Sequence, residues 1–116
     1  MKVYAFDVDE TLEVSGGPVT MASLMALRVE GHIVGLCGNW AVACARSPGW
    51  QHLVSFMNVG VDKETFLITL RRFIPAEEHI MVGNVPGVSG VSDDIGAARV
   101  AGWRFIRESD FAAGVR

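Results

Sequence analysis

Two acidic side chains stand at the end of the first apolar segment of the chain. Asp7 and Asp9 close the run Val3–Val8, which is typical of a strand buried on both faces. Because residues two apart on an extended chain project to the same side, we expect their carboxylates to lie close together. Paired carboxylates repel each other unless a cation or a proton lies between them. A hard divalent cation that prefers oxygen ligands, above all Mg²⁺, would satisfy that need.

Phosphoryl transfer is the chemistry that suits such a site, because it depends mainly on positioning and charge neutralisation. One carboxylate would attack phosphorus, and the other would protonate the leaving oxygen and then activate water. A lysine would neutralise the equatorial oxygens. The chain has only two lysines, and Lys2 lies at the far end of the first predicted strand. Lys63 is therefore the lysine candidate.

The elements that position these residues are predicted to be strands alternating with helices. The predicted strands are Val3–Val8, His32–Cys37, His52–Val59, His79–Val82 and Trp103–Arg107, of which the third has the weakest signal. This alternation predicts an α/β fold, with a doubly wound five-stranded parallel sheet and helices on both faces. In such sheets ligands bind at the carboxyl ends of the strands. The candidate residues are expected to meet at that edge.

Capping and breaking residues predict where the helices begin and end. The predicted boundaries are Pro18 and Gly31 for the first helix, Asn39 and Pro48 for the second, Asp62 for the start of the third, and Ser92 and Gly102 for the last.

The composition predicts one small globular domain over residues 1–116. Half of the residues are hydrophobic, which excludes a disordered chain. A net charge of −3 argues against binding to nucleic acid through phosphate neutralisation. The longest uncharged segments contain Gly, Pro, His or Asn and are too short for a bilayer span, so no membrane partner is expected. With no secretory signal, and with Cys37 and Cys44 forming no disulfide framework, we expect a cytoplasmic protein.

Three segments of the chain match the motifs of one enzyme superfamily. Asp7-x-Asp9-x-Thr11 follows an apolar strand, Val61–Leu67 contains Lys63, and Ser92–Trp103 begins with two acidic residues. Together they resemble the first motif, the third motif and the segment that follows the fourth-motif acid of the haloacid dehalogenase (HAD) superfamily of phosphohydrolases, over nearly the whole chain. The resemblance implies a three-layer Rossmann-like fold. It also implies a Mg²⁺-dependent phosphomonoester hydrolase that forms an aspartyl-phosphate.

The resemblance assigns roles residue by residue. It makes Asp7 the nucleophile and Asp9 the general acid and base. The substrate-binding positions that it implies are Thr11, Gly38, Asn39 and Lys63. The Mg²⁺ ligands that it implies are Asp7, Asp9, Asn84, and Asp93 or Asp94.

Two positions depart from the family's motifs. The second motif usually ends in Thr or Ser, whereas this chain has Gly38, so backbone N–H groups and the Asn39 amide would have to bind the phosphate. The fourth motif usually reads Gly-Asp, whereas Gly83-Asn84 keeps an oxygen ligand and loses one negative charge. The affinity for Mg²⁺ should fall accordingly. These departures favour the alternative function, a catalytically weak or inactive domain that serves as a binding or interaction module.

Other features of the sequence bear on the substrate and on rival sites. The segments between the motifs are too short for a cap domain, so the site should be open to a phosphoprotein, or to a phosphorylated small molecule sealed in by a homo-oligomer. The loop Val85–Val91 separates Asn84 from the two acids, and the match to the following Ile95 favours Asp94 over Asp93. A cysteine phosphatase loop needs an arginine six residues after its cysteine. It is excluded for Cys37 because position 43 is Ala. A phospho-receiver domain is a poor match, because the third strand offers only Asn58 and Asp62.

Overall fold

Five parallel strands form one sheet in the computed structural model, which describes residues 1–90 and 93–116. The strands are β1 (Val3–Phe6), β2 (Ile33–Leu36), β3 (Phe56–Met57), β4 (His79–Gly83) and β5 (Arg104–Arg107). Their spatial order is β3-β2-β1-β4-β5, and every neighbouring pair is parallel. The predicted α/β architecture with a five-stranded parallel sheet is therefore confirmed.

In the part of the chain that the structure describes, five α-helices connect and follow the strands. They are α1 (Met21–Val29), α2 (Trp40–Arg46), α3 (Lys63–Phe73), α4 (Asp94–Ala101) and α5 (Glu108–Ala112). Short 3₁₀ turns occupy Glu13–Ser15 and Trp50–His52. Among the residues described, none of these helices has the length and apolar character needed to cross a bilayer.

The strands pack a separate core on each face of the sheet, because successive side chains of a strand point to opposite faces. Tyr4 and Phe6 belong to the core that includes the buried side chains of α1, α2 and α5. Val3 and Ala5 belong to the core that includes those of α3 and α4. Strand β1 is therefore buried on both faces, which explains why its sequence is almost continuously apolar.

Several predicted boundaries are wrong, and each has a physical reason. Helix α1 begins at Met21, where the Thr20 side chain accepts from the Ser23 N–H. Pro18 lies in a bend before this helix, next to an isolated bridge between Leu12 and Val19. The third strand shrinks to two residues, since 50–52 form a 3₁₀ turn, and α5 was not predicted. By contrast, Gly102 ends α4 in the left-handed conformation, as expected.

The carboxyl edge of the sheet collects the candidate residues because the inner strands stay in register up to their ends. Asp7 follows β1 and donates its backbone N–H to Val82 of β4. Asn84 follows β4, and Gly38 lies two residues beyond β2. Asn58 follows β3 and donates its backbone N–H to Leu36. Four strand ends therefore face one site.

Candidate active site

Lys63 bridges two buried carboxylates at the carboxyl edge of the sheet. Its Nζ lies 2.8 Å from Asp7 Oδ1 and 2.6 Å from Asp94 Oδ1. Asp7 is 2% exposed and Asp94 is fully buried, whereas the lysine side chain is 23% exposed. Lys63 and Asp94 are the first residues of α3 and α4, so the two helix starts and the end of β1 converge here. The cation between the carboxylates of Asp7 and Asp94 is therefore the ammonium group of Lys63.

Burial and charge set the protonation of this network. The pKa of Asp7 is raised to about 6: burial is the largest cause, the neighbouring charge of Asp94 acts in the same direction, and the Lys63 ammonium acts in the opposite direction. Burial alone would lower the pKa of Lys63, but the charges of Asp7 and Asp94 outweigh it, and the pKa is raised. At neutral pH, Lys63 is therefore a fixed positive charge beside a mostly ionised Asp7.

Asn84 is the second centre of the network, and its side chain is hydrogen-bonded at both ends. Its Nδ2 donates to Asp7 Oδ2 at 3.1 Å and to the backbone carbonyl of Asp9 at 2.8 Å. Its Oδ1 accepts from the Thr11 hydroxyl at 2.9 Å, and its backbone N–H donates to Asp94 Oδ2. Thr11 is fully buried, so it orients Asn84 rather than lining an open cleft.

The Asp7 and Asp9 side chains were expected to pair because both were placed on extended chain, and this placement is wrong. The strand ends at Phe6, and the chain turns at Asp9 and Glu10, where Glu10 has φ of 59°. The Asp9 side chain is exposed, and its carboxylate accepts from the Ser15 hydroxyl at 2.8 Å. Asp9 thus contributes its backbone carbonyl to the buried network and leaves its carboxylate at the surface, where solvent reaches it.

The segment after β2, which contains Gly38 and Asn39, makes a hydrogen bond that the sequence did not predict. The Gly38 N–H donates to Asn58 Oδ1 at 2.9 Å, and the Asn58 carbonyl accepts from the Trp40 indole at 2.8 Å. A Cβ at position 38 would overlap Asp7 Oδ1, so any larger residue here requires the Asp7 carboxylate to move. Asn39 occupies the N-cap position of α2 without a side-chain capping bond. Asn58 is a site residue that the sequence did not assign to the site, and its only signal was its place near the end of the weakest predicted strand, His52–Val59.

The adjacent acids Asp93 and Asp94 have separate environments. Asp93 is exposed and caps α4, since its Oδ1 accepts from the Gly96 N–H at 2.9 Å. Asp94 is fully buried and contacts both Lys63 and Asn84. The geometry therefore places Asp94 in the site and Asp93 at its border, and Ser92 lies outside the described residues.

The oxygen atoms of the site fit a divalent cation only in part. In the ranges 1–90 and 93–116, no three side chains of His, Cys, Asp or Glu converge as a metal site. Asp7 Oδ2 and the Asp9 carbonyl share one neighbour, the Asn84 amide, whose oxygen would complete a set of hard ligands of the kind that Mg²⁺ prefers. The donor set fits Mg²⁺ if this amide presents its oxygen.

A cavity at the opposite edge of the sheet shares no residue with this site. It measures about 450 Å³, and its lining includes Glu78, His79 and Arg104. Glu78 forms ion pairs with Lys2 at 2.9 Å and with Arg104 at 3.2 Å, and His79 Nε2 lies 2.8 Å from the Ile74 carbonyl. Each of these groups has a partner within the chain, which suits a structural role.

Comparisons with protein-family models, with curated proteins and with solved structures found no significant match to this chain. The resemblance to the HAD superfamily therefore depends on its motifs.

Proposed function

We propose that the chain is a single-domain phosphomonoester hydrolase of the HAD type, Mg²⁺-dependent and cytoplasmic, which works through an aspartyl-phosphate on Asp7. The observation that carries the proposal is the Lys63 ammonium held between Asp7 and Asp94 at the carboxyl edge of a parallel sheet. Ligand sites of parallel α/β sheets lie at that edge. A carboxylate nucleophile with a fixed cation beside it suits phosphoryl transfer through an aspartyl-phosphate.

The proposed reaction has two displacement steps. An oxygen of the Asp7 carboxylate attacks phosphorus, the ester P–O bond breaks, and the Asp9 carboxyl gives its proton to the leaving alkoxide. The Asp9 carboxylate then takes a proton from water, whose oxygen attacks the aspartyl-phosphate. Inorganic phosphate leaves and the Asp7 carboxylate is restored. The exposure of the Asp9 side chain supports this role, because the acid must reach both the leaving group and water.

Positive charge around Asp7 stabilises the transferred phosphoryl group. Lys63 supplies the charge of this chain, and its contact with Asp94 keeps the ammonium in place. Bound Mg²⁺, held by Asp7, the Asp9 carbonyl and the Asn84 oxygen, would add charge neutralisation at the phosphoryl oxygens. The Gly38 N–H donates to the Asn58 side chain, so a phosphate can accept from this N–H only after displacing Asn58 Oδ1.

The substrate class follows from the openness of the edge. The connection from β1 to α1 contains only a short 3₁₀ turn, Glu13–Ser15, and the α2–β3 connection contains only Trp50–His52. These short connections support a site without a cap domain. A phosphorylated small molecule or a phosphoprotein side chain would fit such a site, and a homo-oligomer would cover it for a small substrate.

Hydrolysis of p-nitrophenyl phosphate, with Mg²⁺ and with EDTA, tests the proposal. We expect Mg²⁺-dependent turnover that falls at least about 10³-fold in Asp7→Asn, because the amide is not a nucleophile. Asp110→Asn is the matched control, since Asp110 is exposed on α5 and its variant should keep full activity. Turnover in Asp7→Asn equal to that of the control would refute the mechanism.

A binding module is the second candidate, and the hydrogen bonds of Asp7 favour it. Both carboxylate oxygens have partners within the chain, Lys63 on Oδ1 and Asn84 on Oδ2. Calorimetry with inorganic phosphate and with a phosphoserine peptide separates the two functions. Binding without any Asp7-dependent hydrolysis would establish the module, and hydrolysis would exclude it.

A further inference from the structure

The amide group of Asn84 lies between two oxygens that would otherwise face each other without a hydrogen. Asp7 Oδ2 and the Asp9 backbone carbonyl are both acceptors, and both receive a hydrogen from Asn84 Nδ2, at 3.1 and 2.8 Å. Asn84 is 2% exposed, so water has little access to this bridge. The amide nitrogen thus supplies the positive end of a dipole at a place where a carboxylate side chain would leave three oxygens in repulsion.

The orientation of this amide follows from its partners. Turned by 180°, the group would place Oδ1 against the two acceptor oxygens and Nδ2 against Thr11. Without a cation, the first contact is repulsive, so the observed orientation is the stable one. The second contact is acceptable in both orientations, because a threonine hydroxyl either donates or accepts. Thr11 therefore permits two states of Asn84, and the occupant of the space near Asp7 decides between them.

We propose that Asn84 is a reversible substitute for the cation, an inference that rests on the proposed Mg²⁺-dependent function. In the metal-free protein, Asn84 Nδ2 joins Asp7 to the Asp9 carbonyl and keeps the site assembled. A divalent cation binds there only when the amide turns over and presents Oδ1, while the Thr11 hydroxyl changes from donor to acceptor. The cation must displace two hydrogen bonds and meets one negative charge fewer than an aspartate would provide. The site therefore folds without metal and binds it weakly.

Thermal unfolding of wild type and Asn84→Asp, in EDTA and in about 5 mM Mg²⁺, tests this inference. Wild type should melt within about 2 °C in both buffers, because its bridge needs no metal. Asn84→Asp should lose about 5–10 °C in EDTA relative to Mg²⁺, since its carboxylate repels Asp7 until the cation binds. Asn39→Asp adds the same charge to an exposed position at the same edge and should show no dependence on Mg²⁺. Equal responses of wild type and Asn84→Asp would overturn the inference.

A measurement on the unaltered protein covers the case in which Asn84→Asp does not fold. The side-chain NH₂ signals of Asn84, assigned by nuclear magnetic resonance, should exchange slowly with solvent in EDTA because both hydrogens are buried and bonded. Mg²⁺ at tens of millimolar should shift these signals together with the backbone amide signals of Val8 and Asp9. Backbone shifts without any change at Asn84, or no response to Mg²⁺ anywhere, would contradict the switch.

These readouts are independent of turnover. If Asn84→Asp gains Mg²⁺ dependence while the phosphatase assay shows no hydrolysis, the proposed activity fails and the inference stands. If hydrolysis occurs and depends on Asp7 while Mg²⁺ changes the melting temperature of neither wild type nor Asn84→Asp, the inference fails and the nucleophile assignment stands.

Discussion

Lys63 compensates two carboxylates that the fold has removed from water. The cost of a buried, uncompensated charge is several kcal/mol in general, and the pair Asp7 and Asp94 would also repel each other. Part of this cost remains in the native protein, since the pKa of Asp7 is raised to about 6. A carboxyl whose folded-state pKa exceeds its ordinary 3.8 stabilises the fold below about pH 4, and this contribution is lost as the pH rises through 6. Ionisation of Asp7 therefore destabilises the protein.

Replacing Lys63 with Met should reveal this cost. At pH 7.5, without added metal, we expect Lys63→Met to lower the free energy of unfolding by about 2–4 kcal/mol, because two ionised carboxylates lose their counter-charge. At pH 5 the loss should be smaller, since Asp7 is then largely protonated. Urea unfolding at both pH values measures the difference.

The second lysine of the chain is the control for this variant. Lys2 pairs with Glu78 at 2.9 Å, and both side chains are partly exposed, so Lys2→Met should cost less than about 1 kcal/mol at either pH. A Lys63→Met variant with the same small and pH-independent cost would show that the buried network is not a charged one.

Among the elements, α3 and α2 offer a direct comparison of helix starts. Asp62 caps α3, as its Oδ1 accepts from the Thr65 N–H at 2.8 Å and its Oδ2 from the Thr65 hydroxyl at 3.0 Å. These bonds lower the pKa of Asp62 and fix the turn that carries Lys63. Asn39 has the same position at α2, but its side chain makes no capping bond.

The difference predicts unequal effects of alanine at the two caps. Asp62→Ala should lower the free energy of unfolding by about 1 kcal/mol, the typical value for a lost capping bond. Asn39→Ala should change it by less than about 0.5 kcal/mol, because no side-chain bond is removed. Chemical unfolding at pH 7 gives both values, and a cost at Asn39 equal to that at Asp62 would contradict the assignment of caps.

Elements with strong local signals could be predicted from the sequence, and elements held by distant contacts could not. The buried strand β1, the cap at Asp62 and the stop at Gly102 each follow from a few neighbouring residues. Helix α5 has only five residues, and its position depends on packing against β4 and β5. The start of α1 is displaced because Val19 bridges to Leu12, a contact that the sequence pattern does not show.

The same distinction applies to the site. The meeting of Asp7 and Lys63 could be predicted because parallel topology brings strand ends and helix starts to one edge. The bond of Asn58 to Gly38 and the direction of the Asn84 amide could not, since each depends on which hydrogen-bond partners the folded chain leaves available. The exposed Asp9 carboxylate was missed for a related reason, because the chain turns there instead of staying extended.

At the scale of the whole molecule, the sheet separates two hydrophobic cores, one on each face. The core with α3 and α4 lies beneath Lys63 and Asp94, so its packing positions the site directly. The core on the other face is closed by α5, whose Phe111 is fully buried. The Phe111 ring meets Phe6 edge-on at 5.2 Å between centroids, and the guanidinium of Arg116 covers it at 3.9 Å. The last helix is therefore part of the fold and packs on the face of the sheet opposite α3 and α4.

This arrangement predicts that stability and activity can be separated at Phe111. Phe111→Ala should lower the free energy of unfolding by about 3–5 kcal/mol, because it removes a buried ring and leaves a cavity beside Phe6. Since domains of this size are stable by only about 5–15 kcal/mol, the midpoint of unfolding should fall well below that of wild type. Val115→Ala, at a side chain 47% exposed, is the control and should change little. Phosphatase turnover per folded molecule, measured below the melting transition, should stay at the wild-type value, because Phe111 packs on the face of the sheet opposite α3 and α4, the helices that carry Lys63 and Asp94. A loss of turnover without a loss of stability would show that the two faces are coupled.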